Sequence, residues 1–153
     1  GNGPSCHANG RAGPSLAGPA FAIDYDGMSQ DPRHARGKLG EDIACEELRR
    51  RGYAILARRF RTRAGEVDII ARDGATLVFV EVKARASVRF GSGPDAITAS
   101  KRLRLVRMAE EFLLRSRLTR VPCRFDVVSV RQTGLDVPSV EVFPAAFGAD
   151  ERL

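Results

Sequence analysis

Apolar positions fall along the chain with two different periods. From Gly37 to Arg51 there is no proline. The run stops at Gly52, a residue suited to the left-handed turn that ends many helices, and three arginines precede it where the helix dipole favours cations. This predicts a helix. Tyr53 to Arg61, Glu66 to Arg72 and Leu77 to Ala84 alternate or run apolar over strand-like lengths, and the Asp73–Gly74 loop joins the last two into an antiparallel meander. Asp95 to Leu118 then brings Ile97, Leu105, Met108, Ala109 and Phe112 to one face at helical spacing, the stripe of a second helix packed on a sheet. Arg124 to Val130 and Val140 to Phe143 read as two more strands around a turn region at Gln132 to Pro138. Helix, three-strand meander, helix, two strands describes an α/β fold with a mixed sheet flanked by helices.

Residues 1–34 carry no such period. They are rich in Gly, Pro, Ser and Ala, with Asp24, Asp26 and Asp31 among them, so the expectation is a flexible leader. It lacks the basic start and apolar stretch of a secretory signal, and the aspartates disfavour a transit peptide. One domain is expected at 35–144 and a C-terminal tail at 145–153. With 153 residues and 43% hydrophobic content, the chain can bury a real core. No apolar run approaches the roughly 18 residues needed to cross a bilayer.

Cys6, Cys45 and Cys123 are odd in number and never in C-x-x-C spacing, which excludes a disulfide framework or zinc knuckle and fits small buried thiols in a reducing cytoplasm. Both histidines, His7 and His34, precede the folded part, so Ser-His-Asp triads, H-E-x-x-H sites and histidine-based nuclease motifs are excluded. An enzyme built here works with carboxylates, lysine or arginine. Lys+Arg total 25 against 19 Asp+Glu, a net charge of +6. A solvated surface would account for that excess, but its clustering points to phosphate contacts: Arg58, Arg59, Arg61 and Arg63 in one segment, Lys101, Arg102, Arg104 and Arg107 in another.

The informative chemistry lies in G-E-V-D-I-I-A (Gly65 to Ala71) and L-V-F-V-E-V-K (Leu77 to Lys83). Strand alternation sets Glu66, Asp68 and Ile70 on one face, and Leu77, Phe79, Glu81 and Lys83 on one face of the next strand. If Arg72 pairs with Leu77, Asp68 falls opposite Glu81. Two opposed carboxylates among Val and Phe are costly unless a cation sits between them. Lys83 supplies one charge, and Mg²⁺ or Mn²⁺, which takes hard oxygen ligands, supplies the rest. The alternative is a solvated polar strip. Glu41 shares a side of its helix with Cys45 and Leu48, so it points either to the sheet or, as an ordinary helix acid, to water. Lys101 is either a lysine snorkelling from the core edge or a phosphate contact.

Taken together, G-K-L-G-E (Gly37 to Glu41), R-R-G-Y (Arg50 to Tyr53), G-E-V-D-I-I-A, F-V-E-V-K-A-R (Phe79 to Arg85) and R-F-D-V-V (Arg124 to Val128) resemble the YraN family of small bacterial proteins. The core of that family is similar to the PD-(D/E)XK nucleases, in particular the archaeal Holliday junction resolvases. The resemblance covers about Arg36 to Phe143 and implies a restriction-endonuclease-like fold. It matches Asp68 to the first acid of the nuclease motif and Glu81 and Lys83 to its E-x-K. It also matches Glu41 to a helix acid added to the metal site and makes the Val82 carbonyl a further ligand. Val67 stands where the motif's name has proline.

The expected function is therefore metal-dependent hydrolysis of a nucleic-acid phosphodiester, with branched DNA as the substrate and a homodimer as the assembly by analogy with the resolvases. Asp68 and Glu81 would hold the metal with Glu41 assisting, and Lys83 would orient or help deprotonate the attacking water. Arg59, Arg61, Arg63, Arg85, Lys101 and Arg104 would grip the backbone without reading sequence. The rival is a nucleic-acid-binding module without chemistry. A small phosphoester hydrolase is a weaker third, because no G-x-x-x-x-G-K-[ST] loop is present.

Overall fold

The computed structural model describes residues 32–85, 97–132 and 137–147, with 32–36 and 85 described by backbone alone. The expected leader therefore lies almost wholly outside the described residues. Helix α1 (Pro32–Arg50) begins earlier than the Gly37 expected and ends one residue before the expected Arg51. Gly52 takes φ 92, and the Gly52 and Tyr53 N–H groups donate to the Arg49 and Leu48 carbonyls at 2.9 Å each, closing the last turn.

Strands β1 (Ala54–Thr62), β2 (Gly65–Asp73) and β3 (Thr76–Arg85) form the expected antiparallel meander. Helix α2 (Ala99–Arg115), capped by the Thr98 hydroxyl, then carries the chain back so that β4 (Cys123–Arg131) lies parallel to β3. A parallel neighbour requires such a crossover. Strand β5 (Ser139–Phe147) returns antiparallel to β4, giving a five-stranded mixed sheet in the order β1-β2-β3-β4-β5. The architecture is compatible with a restriction-endonuclease-like fold.

Each face of the sheet has its own core. Ala44, Cys45 and Leu48 of α1 pack with Ile69, Ala71, Val78, Val80, Val128 and Val130. Leu105, Met108, Ala109 and Phe112 of α2 pack with Phe60, Val67, Ile70, Phe79, Phe125 and Phe147 on the other side. The predicted α2 stripe is thus the buried one.

Two local departures matter. The tail expected at 145–153 begins too early, because β5 runs on to Phe147, whose buried ring stacks on Phe125 at 4.8 Å. A bulge in β5 opposite Asp126 permits this: the Asp126 carboxylate accepts the Ala145 N–H at 2.9 Å, and Ala145 takes a left-handed φ of 50. The second departure is at Arg59, which has φ 52. Ala57 and Phe60 are three residues apart yet share the α2-side core, as do their partners Ile70 and Val67, so strict alternation breaks in both strands.

Candidate metal centre

The β2–β3 register pairs Arg72 with Leu77, as expected, and its last pair is Ile69 with Val80. Beyond it β2 stays with β1 as far as Gly65, while β3 stays with β4 as far as Arg85. The strands fork there, and Asp68 and Glu81 stand at the fork. Asp68 fills the opening by accepting the Val82 N–H at 2.8 Å, a backbone donor that no longer has a sheet partner on that side.

Glu41 reaches the fork from α1. It is buried, so of its two possible orientations the sheet-facing one is found. Its position depends on Gly40, where a Cβ would lie 2.9 Å from the Ala84 Cβ; only a glycine lets α1 approach β3 this closely. Carboxylate oxygens of Glu41, Asp68 and Glu66 lie within 4.8 Å of one another, close enough for one cation to be shared among them. Glu66 is a member that sequence reasoning quoted within its motif but did not assign to the site. The signal was present: it lies two residues before Asp68 on the same strand.

Most of these acids bring a cation of their own. Buried Arg59 donates from Nε to Glu41 Oε2 at 2.7 Å, Arg61 Nε meets Glu66 Oε2 at 2.7 Å, and Lys101 Nζ is bonded to Glu81 Oε1. Arg58 stands 3.7 Å from Glu41 but bonds chiefly to Asp42, at 2.5 Å. Among the described residues no cation pairs with Asp68; removal from water and then the charge of Glu81 push its carboxyl well above the usual range, against the lowering effect of the Val82 N–H. This donor set, hard oxygens around one uncompensated acid, fits a divalent cation.

A cavity of about 300 Å³ opens on the α2 side of the fork, lined by Glu66, Asp68, Glu81, Lys101, Arg104 and Met108 among others. Of the cations expected at a phosphate, Arg104 and Lys101 line it, and Arg61 and Arg63 are exposed. Arg59 is not on the surface: it is 7% exposed and turned inward to Glu41. The Arg85 side chain lies outside the described residues. Lys83 is half-buried on β3 in register with Ser129, and Lys101 is the amine that meets Glu81. Cys45 and Cys123 are free thiols, each with its pKa raised by burial, in keeping with inert packing roles.

A family model described as "Uncharacterised protein family UPF0102" matches residues 40–130, more than half of the chain and the whole of the fork. The chain belongs to this family. UPF0102 is the YraN family that the sequence segments resemble. A UPF0102 protein of Syntrophotalea carbinolica is 46% identical over 118 residues, covering 77% of this chain and 95% of the relative. One from Symbiobacterium thermophilum is 51% identical over 94 residues, 61% of this chain and 80% of the relative. Another, from Chlorobium phaeobacteroides, is 39% identical over 128 residues, 80% of this chain and the full length of the relative.

Within this UPF0102 chain, the remaining motif residues serve the scaffold. Arg124 donates to Asp126 Oδ1 at 2.9 Å, to the Tyr53 hydroxyl at 2.7 Å and to Asp73 at 3.0 Å. Asp126, 1% exposed, also takes the Tyr53 hydroxyl at 3.3 Å and the Ala145 N–H of the β5 bulge. R-R-G-Y and R-F-D thus tie α1, the β2–β3 hairpin and the β4–β5 pair together near the Gly74 turn. The acids stand several residues further along both strands.

Proposed function

We propose that this UPF0102 protein is a metal-dependent endonuclease acting on nucleic-acid phosphodiesters, with branched DNA as the preferred substrate class. The observation that carries the reading is the gathering of Glu41, Glu66 and Asp68 at one forked strand end with Glu81 beside them, and with no cation paired to Asp68 among the described residues. Asp68, Glu81 and Glu41 would hold Mg²⁺ or Mn²⁺, with the Val82 carbonyl as a further oxygen. Bound there, the metal supplies neutralisation of phosphate charge and a lowered water pKa. Lys83, two residues along β3 from Glu81, would orient the attacking water and stabilise charge developing on phosphate oxygens. Arg104, Arg61, Arg63 and Arg85 would hold the sugar–phosphate backbone. A two-fold homodimer would suit a symmetric junction.

The purified protein is expected to cut branched or nicked DNA with Mg²⁺ or Mn²⁺ and not in a chelator. Glu81→Ala and Lys83→Ala should each abolish cutting. Equal cutting by wild type and both variants identifies a contaminant and removes the proposal. One observation favours the rival, a nucleic-acid-binding module without chemistry: Glu41 and Glu81 already have internal cations. DNA binding that Mg²⁺ does not alter, with no heat on metal titration, would decide for it.

A further inference from the structure

The cations that meet Glu41 and Glu81 differ in how firmly they are held. Arg59 is 7% exposed, arises from a kinked strand residue and presents a planar guanidinium to Glu41. Lys101 is the third residue of α2, its side chain is 41% exposed, and its flexible four-carbon stem carries the ammonium to Glu81, whose side chain is 8% exposed. The backbone beneath it is fixed, because the Lys101 N–H is bonded to the Thr98 hydroxyl at 3.2 Å. A compact ammonium on such a stem can be re-aimed without moving the helix, whereas a buried guanidinium cannot.

We infer that Lys101 is the exchangeable counter-ion of the carboxylate centre, neutralising Glu81 until a divalent cation replaces it and then turning into the cavity to meet a phosphate group. This deepens the metal reading proposed above and rests on it. Lys101 and Glu81 face each other across the same cavity, so a cation that takes the Glu81 carboxylate must displace the amine. Once displaced, the ammonium stays beside Arg104, one turn further along α2, in a first turn that holds no acid. Two positive groups of α2 then line one opening, an arrangement that an anionic ligand satisfies. Metal and polyanion each favour the same position of Lys101, so each must tighten binding of the other by the same factor.

The test is calorimetry of the full chain with Ca²⁺, with and without a saturating DNA duplex, on wild type, Lys101→Met and Lys101→Arg. Removal of the competing amine should make Lys101→Met bind Ca²⁺ at least about fivefold tighter than wild type. The factor by which duplex tightens Ca²⁺ should fall toward one. A merely structural loss would not tighten metal. Lys101→Arg keeps the charge and can grip Glu81 with two donors, so it should weaken Ca²⁺ binding, which guards against misfolding of the methionine variant. Equal Ca²⁺ affinity in all three proteins overturns the exchange role and leaves the metal centre standing. No Ca²⁺ binding by any of them overturns both.

Discussion

Asp68→Asn should stabilise the metal-free protein while removing a ligand from the proposed metal site. Ionised Asp68 shares a space in which carboxylate oxygens of Glu41 and Glu66 lie within 4.8 Å, and Glu81 adds its charge. At an effective dielectric near 20, one like-charge pair at that separation costs roughly 3.5 kcal/mol. Most of this is offset, because Arg59, Arg61 and Lys101 accompany three of the acids into the fork. What remains is chiefly the removal of Asp68 from water, on the order of 1–2 kcal/mol. Asparagine keeps the oxygen that accepts the Val82 N–H, so little is lost in exchange. For a domain of this size the gain corresponds to a rise in Tm of about 4–8 °C.

The pH dependence supplies the sharper check. Because the folded-state pKa of Asp68 is raised above its usual value of 3.8, the folded protein keeps a proton that the unfolded chain has released. Wild-type stability therefore falls as pH rises from that value through the folded pKa, and the full penalty stands above it. The asparagine variant lacks this slope, so its advantage should widen with pH. Urea unfolding in a chelator between about pH 4 and pH 8 measures the difference directly. A variant less stable than wild type at neutral pH, or a gap that does not change with pH, refutes the reasoning. Asp68→Ala separates charge from hydrogen bonding: it leaves the Val82 N–H unpaired and should lie about 1–3 kcal/mol below Asp68→Asn.

Gly40→Ala places a methyl group 2.9 Å from the Ala84 Cβ and should cost about 1–3 kcal/mol by lifting α1 from β3, with most of the loss restored in the Gly40→Ala/Ala84→Gly pair; no recovery in the pair would show that the close approach is not the cause. Arg59→Met leaves buried Glu41 without its 2.7 Å partner and should cost about 3–5 kcal/mol in denaturant unfolding, part of it recovered by Mn²⁺. Full stability of that variant without metal would show that Arg59 is not the counter-charge of Glu41.

What could be read in advance followed from periodicity. The α2 stripe, the Gly52 stop and the Arg72–Leu77 register are each set by local spacing or turn chemistry, and all three are found. The register, continued one step past its last pair of Ile69 with Val80, was enough to bring Asp68 and Glu81 to the same place. What could not be read depends on non-local geometry. No pattern in R-R-F-R indicates that Arg59 takes a left-handed φ and turns inward, because arginine ordinarily avoids that region. The length of β5 was hidden for a similar reason: Pro144 looks like a terminator until Asp126, a partner 19 residues away, is seen to hold the bulge that carries the strand past it. Lys101 was legible as a cation near the core edge, but which acid it meets is decided only when the crossover lays α2 against β2 and brings its first turn to Glu81.

The charge pattern at the fork also explains how the chain can gather so many acids and still fold. A buried carboxylate without a partner is expensive, and several together would defeat a domain whose total stability is about 5–15 kcal/mol. Here Glu41 is met by Arg59, Glu66 by Arg61 and Glu81 by Lys101, two cations from β1 and one from α2. The cluster is therefore close to neutral, and the residual cost is concentrated on Asp68. Neutralising Asp68 from inside as well would remove the cost and with it any driving force for an external cation. Leaving it unmatched among the described residues keeps the fold marginally strained where affinity for the proposed cation would come from, so substitutions that change only the charge balance around Asp68, with its hydrogen bond to Val82 kept, should move metal-free stability and metal affinity in opposite directions.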